Sequence, residues 1–324
     1  MARSYCCDGP ALWSGTPWRR RLFLGLTTWC NARCEHCATD SSPAATARMG
    51  WDDALHILEQ AAALGFELAV LSGGEVMGRF DEVLALVRQG ARLGLRVWIE
   101  SNGFWGGVAD QARAAAHRLR DAGLEQLVFS TDAYHLPDVP LESFLRAVDA
   151  AEAVGLGYHV DMTESHLTEA HNELLAQLRE AGIEPYIWVL SPLGRARDLP
   201  DRAFRSRPLA SCGECDGLCF AFDPWARAWC CCNFRQHGQE SRLSLGSLRG
   251  QTFTSLAHAY RTSHDVALIA AGALRHAPPD SAMARGGPCE VCQRMLGDPG
   301  LTDEWRKRCA SDRRSAASEE WDRD

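Results

Sequence analysis

No apolar run in this 324-residue chain approaches the roughly 18 residues that a membrane-spanning helix requires. The first residues, MARSYCCDGPALWSG, also lack the apolar core of a secretory signal peptide. These two absences argue against a membrane protein and against an exported one. We therefore expect a cytoplasmic protein with no membrane partner.

Acidic residues outnumber basic residues in this chain. The chain has 34 Lys and Arg against 42 Asp and Glu, which gives a net charge of −8. Proteins that bind nucleic acid usually carry a basic face for the phosphate backbone. The balance of charge therefore predicts no nucleic-acid partner.

Cysteine, by contrast, is abundant, with 14 residues. Disulfide frameworks belong to small secreted domains, so metal ligation or redox chemistry is the better explanation in a cytoplasmic chain. The cysteines are clustered: three lie within 30–37, six within 212–232 and two at 289 and 292. These clusters are where we look for metal ligands.

A strand–helix unit repeats through the first 190 residues. Six short apolar runs occupy 21–26, 67–72, 96–101, 126–131, 158–163 and 186–191. Such runs are typical of parallel strands that are buried on both faces. Five intervening stretches end in glycine followed by an apolar residue, a helix-stop signal, at Gly65, Gly94, Gly123, Gly155 and Gly182. The glycines recur every 27–32 residues, the length of one β/α unit.

Apolar residues at helical spacing mark one face of each of the first two helices. The predicted face of the first helix is Trp51, Leu55, Leu58 and Ala62, and that of the second is Val83, Leu84, Val87 and Ala91. Periodicity alone allows either a partial barrel or an open doubly wound sheet. In both, ligands bind at the carboxyl ends of the strands.

The loop after the first strand carries the motif C-x3-C-x2-C, at Cys30, Cys34 and Cys37. Three thiolates on one loop can hold three irons of a 4Fe–4S cube and leave the fourth open to a ligand. The alternative is a zinc site in which His36 supplies a fourth ligand. The second strand ends in Gly73–Gly74–Glu75, where glycines allow close backbone approach and a carboxylate can accept from an ammonium.

Together these two motifs resemble the radical S-adenosylmethionine (SAM) superfamily over residues 20–195. The resemblance implies an α/β fold, a partial (β/α)6 TIM-like barrel. It implies that Cys30, Cys34 and Cys37 ligate a 4Fe–4S cluster whose open iron SAM chelates. It places His36 near the adenine, and Gly73, Gly74 and Glu75 on the methionyl ammonium.

Later strand ends extend the likeness. Ser101–Asn102–Gly103 resembles the turn after the family's third strand, and Ser130 with Asp132 resembles its S-x-D element near SAM. Ser191, which closes the sixth run, is also assigned to the cofactor. The fifth strand departs from the family's G-x-I-x-G-x-x-E form and offers only Glu164, as a candidate for the SAM ribose.

The remaining third of the chain begins with an Arg-, Asp- and Pro-rich stretch at 192–208 that we interpret as a linker. FAF and ARAW flank Asp223–Pro224, a hairpin signal. Cysteines around a hairpin and a later C-x-x-C resemble the SPASM/twitch extensions of radical SAM enzymes, although Ala226 stands where those extensions have glycine. The resemblance implies one auxiliary 4Fe–4S cluster, with ligands from Cys212 or Cys215, Cys231, Cys289 and Cys292, while Cys219 lies too close in sequence. Four thiolates could also hold zinc.

These features predict a barrel at 1–195, a small cysteine-rich α+β domain at 196–308 and a mobile tail at 309–324. The resemblance implies reductive cleavage of SAM to a 5′-deoxyadenosyl radical, with electrons from a flavodoxin- or ferredoxin-type donor. The radical would then abstract a hydrogen from the substrate.

Because only 29 residues precede Cys30, we expect no peptide-binding domain and favour a small polar metabolite, such as a sugar, aminocyclitol or nucleoside, that is oxidised or decarboxylated in natural-product biosynthesis. The alternatives are modification of a peptide or partner protein, and a non-catalytic Fe–S or zinc protein. Catalytic candidates lie at strand ends. They are Asp132, His135, Glu164 and Arg195, with Glu100, Tyr134 and His166 as further polar candidates for contact with substrate.

Overall fold

The six apolar runs form six parallel strands in the structure, which is a computed structural model. It describes residues 17–164, 169–204, 207–208, 215, 217–232, 242–271, 283–284 and 288–312. The strands are β1 (Arg21–Thr27), β2 (Leu68–Gly73), β3 (Arg96–Ser101), β4 (Gln126–Ser130), β5 (Gly157–Glu164) and β6 (Tyr186–Val189). Each pairs in parallel with its successor. The predicted strands are confirmed to within two residues. Cys212 and His166 lie outside the described residues.

Helices connect these strands and cover the outer face of the sheet. They are α1 (Trp51–Ala63), α2 (Phe80–Arg92), α3 (Ala109–Asp121), α4 (Leu141–Ala153) and α5 (Glu169–Glu180). All five predicted helix-stop glycines have positive φ angles, between 70° and 94°. This is the left-handed conformation that ends a helix without steric cost at glycine.

The predicted buried face of α1 is partly wrong. Its buried residues are Ala54, Ile57, Leu58 and Ala61, whereas Trp51 is 41% exposed. Trp51 is the first residue of the helix, where its side chain is left exposed to solvent. For α2 the prediction is largely confirmed, since Val83, Leu84 and Val87 are buried.

Alternate residues of each strand point to opposite faces of the sheet, as the two-residue period requires. Leu22, Leu24, Ala69 and Leu71 face the helices in the larger apolar cluster. The opposite face carries the smaller cluster, which consists of Phe23, Leu68, Val70, Trp98, Val128, Cys219, Ala221 and Trp229. Both faces are therefore buried, which explains the nearly continuous apolar runs.

Strands from the last third of the chain join the same sheet beside β1. They are the predicted hairpin, β8 (Leu218–Phe222) with β9 (Arg227–Cys231), followed by β10 (Ser244–Ser247). β8 is parallel to β1 and antiparallel to β9. The strand order is β10-β9-β8-β1-β2-β3-β4-β5-β6, so the nine-stranded sheet of the described residues is open. A partial barrel followed by a hairpin is thus the observed architecture.

The remaining elements pack around this extension. α6 (Phe253–Thr262) and α7 (His264–Ala270) follow β10, while α8 (Pro288–Gly297) and α9 (Pro299–Asp312) come last among the described residues. The two-residue strands β7 (Arg207–Pro208) and β11 (Met283–Ala284) pair with each other. Phe253 and Tyr260 of α6 stack on Phe220 and Phe222 of β8, and so anchor the helix on the sheet.

Two segments differ from the sequence-based expectation. The stretch predicted as a linker contains 3-10 turns at Gly194–Asp198 and Asp201–Ala203, and Ala196, Ala203 and Phe204 are buried there. The predicted tail begins too early, because α9 extends to Asp312 and Cys309 is only 5% exposed.

Across the part of the chain that the structure describes, no helix is both long enough and apolar enough to cross a membrane.

Asp223 holds the turn of the β8–β9 hairpin. Its carboxylate is fully buried and accepts hydrogen bonds from the backbone N–H groups of Trp225 and Arg227, both at 3.0 Å. It also accepts from Arg227 Nε at 2.5 Å and from Trp229 Nε1 at 3.3 Å. A buried charge is tolerated here because four donors surround it.

Asp223→Asn should therefore lower the free energy of unfolding by about 2 kcal/mol, because an amide NH2 would face two N–H donors. Urea unfolding followed by circular dichroism measures this change. The matched control is Asp149→Asn on the exposed face of α4, which should stay within about 0.5 kcal/mol of the unmodified chain. Equal losses in the two variants would contradict this account of the turn.

Candidate functional site

A cavity of about 280 Å³ opens at the carboxyl ends of the strands. Its lining includes these predicted site residues: Cys30, Cys34, His36, Cys37, Gly73, Gly74, Ser101, Asn102, Ser130, Asp132 and His135. They come from the loop after β1 and from the ends of β2, β3 and β4. The fold therefore brings most of the predicted site to one place.

The loop that carries the three thiols, which we call the cluster loop (residues 28–42), is fixed at both ends. Its start and end pair through hydrogen bonds between Cys30 and Ser42, at 3.2 Å, and between Ser42 and Thr28, at 3.3 Å. Within the loop, the amide of Cys37 donates to the carbonyl of Cys34 at 3.2 Å. Cys34 and Cys37 are thus on one tight turn that presents both side chains to the cavity.

Cys30 lies in an environment that suits a metal-bound thiolate. Burial raises the pKa of its thiol to about 12; a hydrogen bond from Ala32 opposes this rise, and the nearby Glu75, Cys34 and Cys37 add to it. A thiol so crowded by negative groups ionises readily only when a cation is present, because a bound metal ion deprotonates a coordinating thiol. The thiols of the cluster loop are therefore suitable ligands for iron.

The spacing of the thiols argues against the zinc alternative. Thiolates around one zinc ion lie about 3.8 Å apart, given Zn–S bonds of about 2.3 Å in a tetrahedron. Among the described residues, no three cysteine sulfurs lie within 4.8 Å of one another. At least one pair of the sulfurs of Cys30, Cys34 and Cys37 is therefore more than 4.8 Å apart.

Gly73 and Gly74 are needed for close packing against the cluster loop. A Cβ on Gly73, whose φ is 143°, would lie 2.4 Å from the carbonyl oxygen of Thr27. A Cβ on Gly74 would lie 2.1 Å from the carbonyl oxygen of Trp29. Because Gly73 and Gly74 have no side chains, the end of β2 packs directly on the cluster loop. The two glycines also line the cavity.

Glu75 lies beneath the cavity and is fully buried. Its carboxylate accepts hydrogen bonds from the amides of Met77 and Asn102, at 2.9 and 2.7 Å, and from the hydroxyl of Ser101 at 3.1 Å. Burial raises the pKa of Glu75 to about 7 despite these hydrogen bonds. In the structure, the carboxylate of Glu75 thus hydrogen-bonds with the turn after β3. The sequence analysis had predicted that it contacts the ammonium group of SAM.

Asp132 joins two imidazoles at the edge of the cavity. Its two carboxylate oxygens lie 2.9 Å from His36 Nε2 and 2.9 Å from His135 Nδ1. Burial alone would raise the pKa of Asp132, but the two imidazoles hold it well below its usual range. Burial would likewise lower the pKa of His135, but Asp132 holds it well above its usual range.

Three other predicted residues are placed away from the cavity. The guanidinium of Arg195 donates to the carbonyls of Cys34 and Ser41, at 3.0 and 2.7 Å, so this side chain supports the cluster loop. Glu164, at the end of β5, and Ser191, after β6, are not among the described residues that line the cavity.

Sequence reasoning missed six polar or aromatic residues of the cavity wall: Thr39, Ser41, Ser72, Asp161, Thr163 and Trp188. Asp161 and Thr163 are two residues apart on β5 and so face the same side. An acidic residue inside an apolar run was the signal that could have identified Asp161. Glu100, which was a candidate, accepts a hydrogen bond from Ser72 at 2.5 Å.

Burial favours the neutral form of two of the three carboxyl groups in this wall, those of Glu100 and Asp161. Burial raises the pKa of Glu100 to about 8, with the hydrogen bond from Ser72 opposing it. Burial also raises the pKa of Asp161 to about 7, and a hydrogen bond from Trp188 opposes that rise. Both groups can therefore carry a proton near neutral pH.

A second group of cysteines lies where β8 and β9 meet α8. Burial, followed by interaction with Cys232, raises the pKa of the Cys219 thiol; interaction with Cys232, followed by burial, raises the pKa of the Cys231 thiol. Cys289 lies close enough to Cys231 to interact with it electrostatically, and Cys215 does so with Cys292. The predicted ligands Cys215, Cys231, Cys289 and Cys292 thus converge, and Cys219 and Cys232 join them. The sequence spacing that set Cys219 aside did not account for the hairpin.

The family follows from a sequence comparison. A profile of the Radical SAM superfamily matches residues 24–196, more than half of the chain. The chain belongs to the radical SAM superfamily, and SAM and a 4Fe–4S cluster are accordingly its cofactors.

Individual relatives are more distant. YydG of Bacillus subtilis strain 168, whose name assigns it to peptide biosynthesis, is 28% identical over 127 residues. The match covers 39% of this chain and 40% of that protein, so this chain matches about two fifths of the length of that relative.

Two solved structures align with this chain. AnSMEcpe with bound AdoMet and the Cp18Cys peptide aligns with a TM-score of 0.52 at 12% identity, over 90% of this chain and 96% of that one. BtrN in complex with AdoMet and 2-DOIA aligns with a TM-score of 0.49 at 14% identity, over 79% and 88% of the two chains. The anSMEcpe match supports the fold described above.

The raised pKa of Glu100 predicts a pH dependence of stability. Between pH 4.5 and 8 the folded state holds a proton that the unfolded chain has lost, so stability falls as the pH rises through this range. Glu100→Gln removes the titrating group. The unmodified protein should therefore lose on the order of 2–4 kcal/mol more stability between pH 5.5 and 8.5 than the variant does.

Urea unfolding of both proteins at the two pH values, under anaerobic conditions, measures the difference. Titrating groups that do not interact with Glu100 contribute equally to both proteins and cancel. Identical pH dependence in the two proteins would show that Glu100 is ionised in the folded state.

Proposed function

We propose that this chain is an enzyme that cleaves SAM reductively at a 4Fe–4S cluster on Cys30, Cys34 and Cys37. The bound cluster and SAM would supply the 5′-deoxyadenosyl radical, which abstracts a hydrogen from the substrate. The observation that carries this proposal is the convergence of the three thiols with the ends of β2, β3 and β4 at one cavity.

The chain's own residues would hold and shield this chemistry. Asn102 has its side-chain nitrogen 3.7 Å from the sulfur of Cys30 and 2.9 Å from the side-chain oxygen of Asn31. It thereby ties the cluster loop to the end of β3. Below the cavity, buried Val70, Trp98 and Val128 form an apolar layer on the inner face of the sheet, which would help to exclude water.

For the substrate we propose a small polar metabolite that is oxidised or decarboxylated. Glu100 and Asp161 support this class, since they lie on the cavity wall and can each donate or accept a hydrogen bond when protonated. A substrate that bears hydroxyl or amino groups would satisfy them.

A peptide substrate is the second candidate. It is supported by the sequence likeness to YydG, whose name assigns it to peptide biosynthesis. A comparison of the metabolites and peptides that accumulate in cells with and without the enzyme separates the two classes. An electron donor of the flavodoxin or ferredoxin type would serve either reaction.

We further propose that Cys215, Cys231, Cys289 and Cys292 belong to an auxiliary 4Fe–4S site, with Cys219 and Cys232 beside them as further candidate ligands. Cys232 is near enough to Glu100 to raise the pKa of that carboxyl, after the larger effects of burial and the Ser72 hydrogen bond. This contact supports a position for the auxiliary cluster next to the cavity wall. There it could accept an electron from a substrate radical.

Replacing Cys30, Cys34 and Cys37 together with Ala should lower the iron content of the anaerobically reconstituted protein from about eight to about four per chain. It should also abolish formation of 5′-deoxyadenosine from SAM, because the cluster at which SAM binds and is reduced would be missing. Iron analysis and chromatography of the reaction mixture measure both. The control is Cys309→Ala, a buried cysteine outside both groups. Continued formation of 5′-deoxyadenosine by the triple variant would refute the proposal.

The double variant Cys289→Ala with Cys292→Ala should show the complementary behaviour. It should also lose about four irons but continue to form 5′-deoxyadenosine, because the cluster loop is a separate segment. Once a substrate is identified, its product should decrease far more than 5′-deoxyadenosine does. Parallel loss of both in a misfolded protein, as judged by circular dichroism, would show instead that these cysteines only stabilise the fold. Zinc at this site would remove the auxiliary cluster.

A further inference from the structure

One wall of the cavity is not accounted for by the motifs that resemble the family's cofactor-binding elements. The motifs that line the cavity lie on the cluster loop and at the ends of β2, β3 and β4. Asp161 and Thr163 of β5 and Trp188 of β6 line it too, and Thr163 is paired in register with Trp188. We call these three residues the β5–β6 wall. It is separate from β1, which carries the cluster loop four strands away, and is therefore available to a substrate.

The carboxyl of Asp161 is largely buried but opens to the cavity. Its side chain is 20% exposed, whereas its Oδ1 atom is buried and has no hydrogen-bond partner within the ranges that the structure describes. The exposed part of the side chain therefore lies away from Oδ1, toward the cavity. A largely buried carboxylate that lacks donors is costly, and a ligand that brings a donor and a positive charge would offset this cost.

His159 lies beneath Asp161, two residues earlier on the same face of β5, and does not supply that charge. Its Nε2 atom lies 3.5 Å from Asp161 Oδ1, and its Nδ1 atom lies 2.5 Å from the side-chain nitrogen of Gln126. The ring also meets Trp98 nearly edge-on, with 6.3 Å between centroids. Burial lowers the pKa of His159 to about 4, so the imidazole is uncharged at neutral pH. It is a fixed neighbour of Asp161 but does not neutralise it.

The described lining of the cavity also contains no Lys or Arg. Its two imidazoles, those of His36 and His135, are paired with Asp132. Carboxyl groups and the thiols of the cluster loop thus set the sign of the potential in the cavity. Such a site attracts a cation, while a substrate phosphate or carboxylate would find no basic side chain to pair with on these walls.

We propose that Asp161 binds a protonated amino group of the substrate, which is therefore an amine-bearing small polar metabolite. This inference rests on the proposed function, in which a small polar metabolite is the substrate, and it narrows that class. The ammonium donates a charge-assisted hydrogen bond to the carboxylate and supplies the positive charge that the β5–β6 wall lacks. Asp161 thereby fixes the end of the substrate that lies away from β1.

The test uses the reconstituted enzyme with SAM and sodium dithionite. The probe is the small-molecule extract of cells that lack the enzyme. One portion is treated with acetic anhydride, which converts amines to uncharged amides, and another with anhydride that has already been hydrolysed. The second portion should raise formation of 5′-deoxyadenosine above the level with SAM alone, because a bound substrate consumes the radical. The acetylated portion should not.

Substitution of Asp161 tests the residue itself. Asp161→Leu should raise the extract concentration that gives half-maximal formation of 5′-deoxyadenosine by about 10- to 150-fold, as expected for the loss of a hydrogen bond to a charged group. Asp161→Asn keeps an oxygen acceptor without the charge and should fall between the two proteins. Iron content and circular dichroism identify any variant that fails to fold, and Asp161→Asn then carries the test.

The affinity for SAM, measured by equilibrium dialysis, separates a substrate role from a cofactor role. It should stay within about twofold in both Asp161 variants. The matched control, Asp149→Asn on the exposed face of α4, should change neither measurement.

Three results would overturn the inference: an acetylated extract as effective as the untreated amines, an unchanged half-maximal concentration in both Asp161 variants, or a parallel loss of SAM affinity, which would assign Asp161 to the cofactor. If the unmodified enzyme forms no 5′-deoxyadenosine, or none beyond the level with SAM alone when the extract is added, the proposed function fails instead.

Discussion

The site depends on the close packing of the turn after β2 against the cluster loop. The amides of Gly74 and Glu75 donate to the carbonyls of Thr27 and Trp29, each at 2.8 Å, and no room remains there for a side chain on Gly73 or Gly74. The loop with the thiols and the end of β2 are therefore a single rigid unit. Because each carries part of the cavity wall, a change in either would move the other.

A buried carboxylate extends this unit to the third strand. Glu75 accepts three hydrogen bonds, two of them from Ser101 and Asn102, and Asn102 in turn reaches Cys30 and Asn31. Desolvation of the carboxylate is costly, and the three donors offset part of that cost. Precise alignment of three strand ends thus comes from polar contacts beneath the cavity, while the apolar layers on the two faces of the sheet hold the strands themselves.

Local patterns predicted most of the fold, and contacts between distant segments account for what was missed. Apolar runs and helix-stop glycines located all six strands, because burial on both faces and a left-handed helix end leave direct marks in sequence. Asp161 was missed because its linear neighbours do not show that it lines the same cavity as Glu100, which lies two strands away. Cys219 was set aside because linear spacing does not show how a hairpin folds back. Ala226 adopts a φ of 58°, which explains why glycine is expected there: a Cβ costs roughly 1–2 kcal/mol in that conformation.

The parallel pairing of β8 with β1 has a consequence for how the chain folds. Leu22 aligns with Phe220 and Leu24 with Phe222, so the strand next to the cluster loop gains its second neighbour only from residues almost 200 positions later. Until those residues are synthesised, β1 is an apolar edge strand with unpaired backbone groups, the kind of surface that pairs with other chains. Such long-range closure slows folding. During synthesis the chain therefore passes through a stage in which β1 is exposed and prone to pair with strands of other chains. Solubility during expression then depends on the last third of the sequence, which supplies β8.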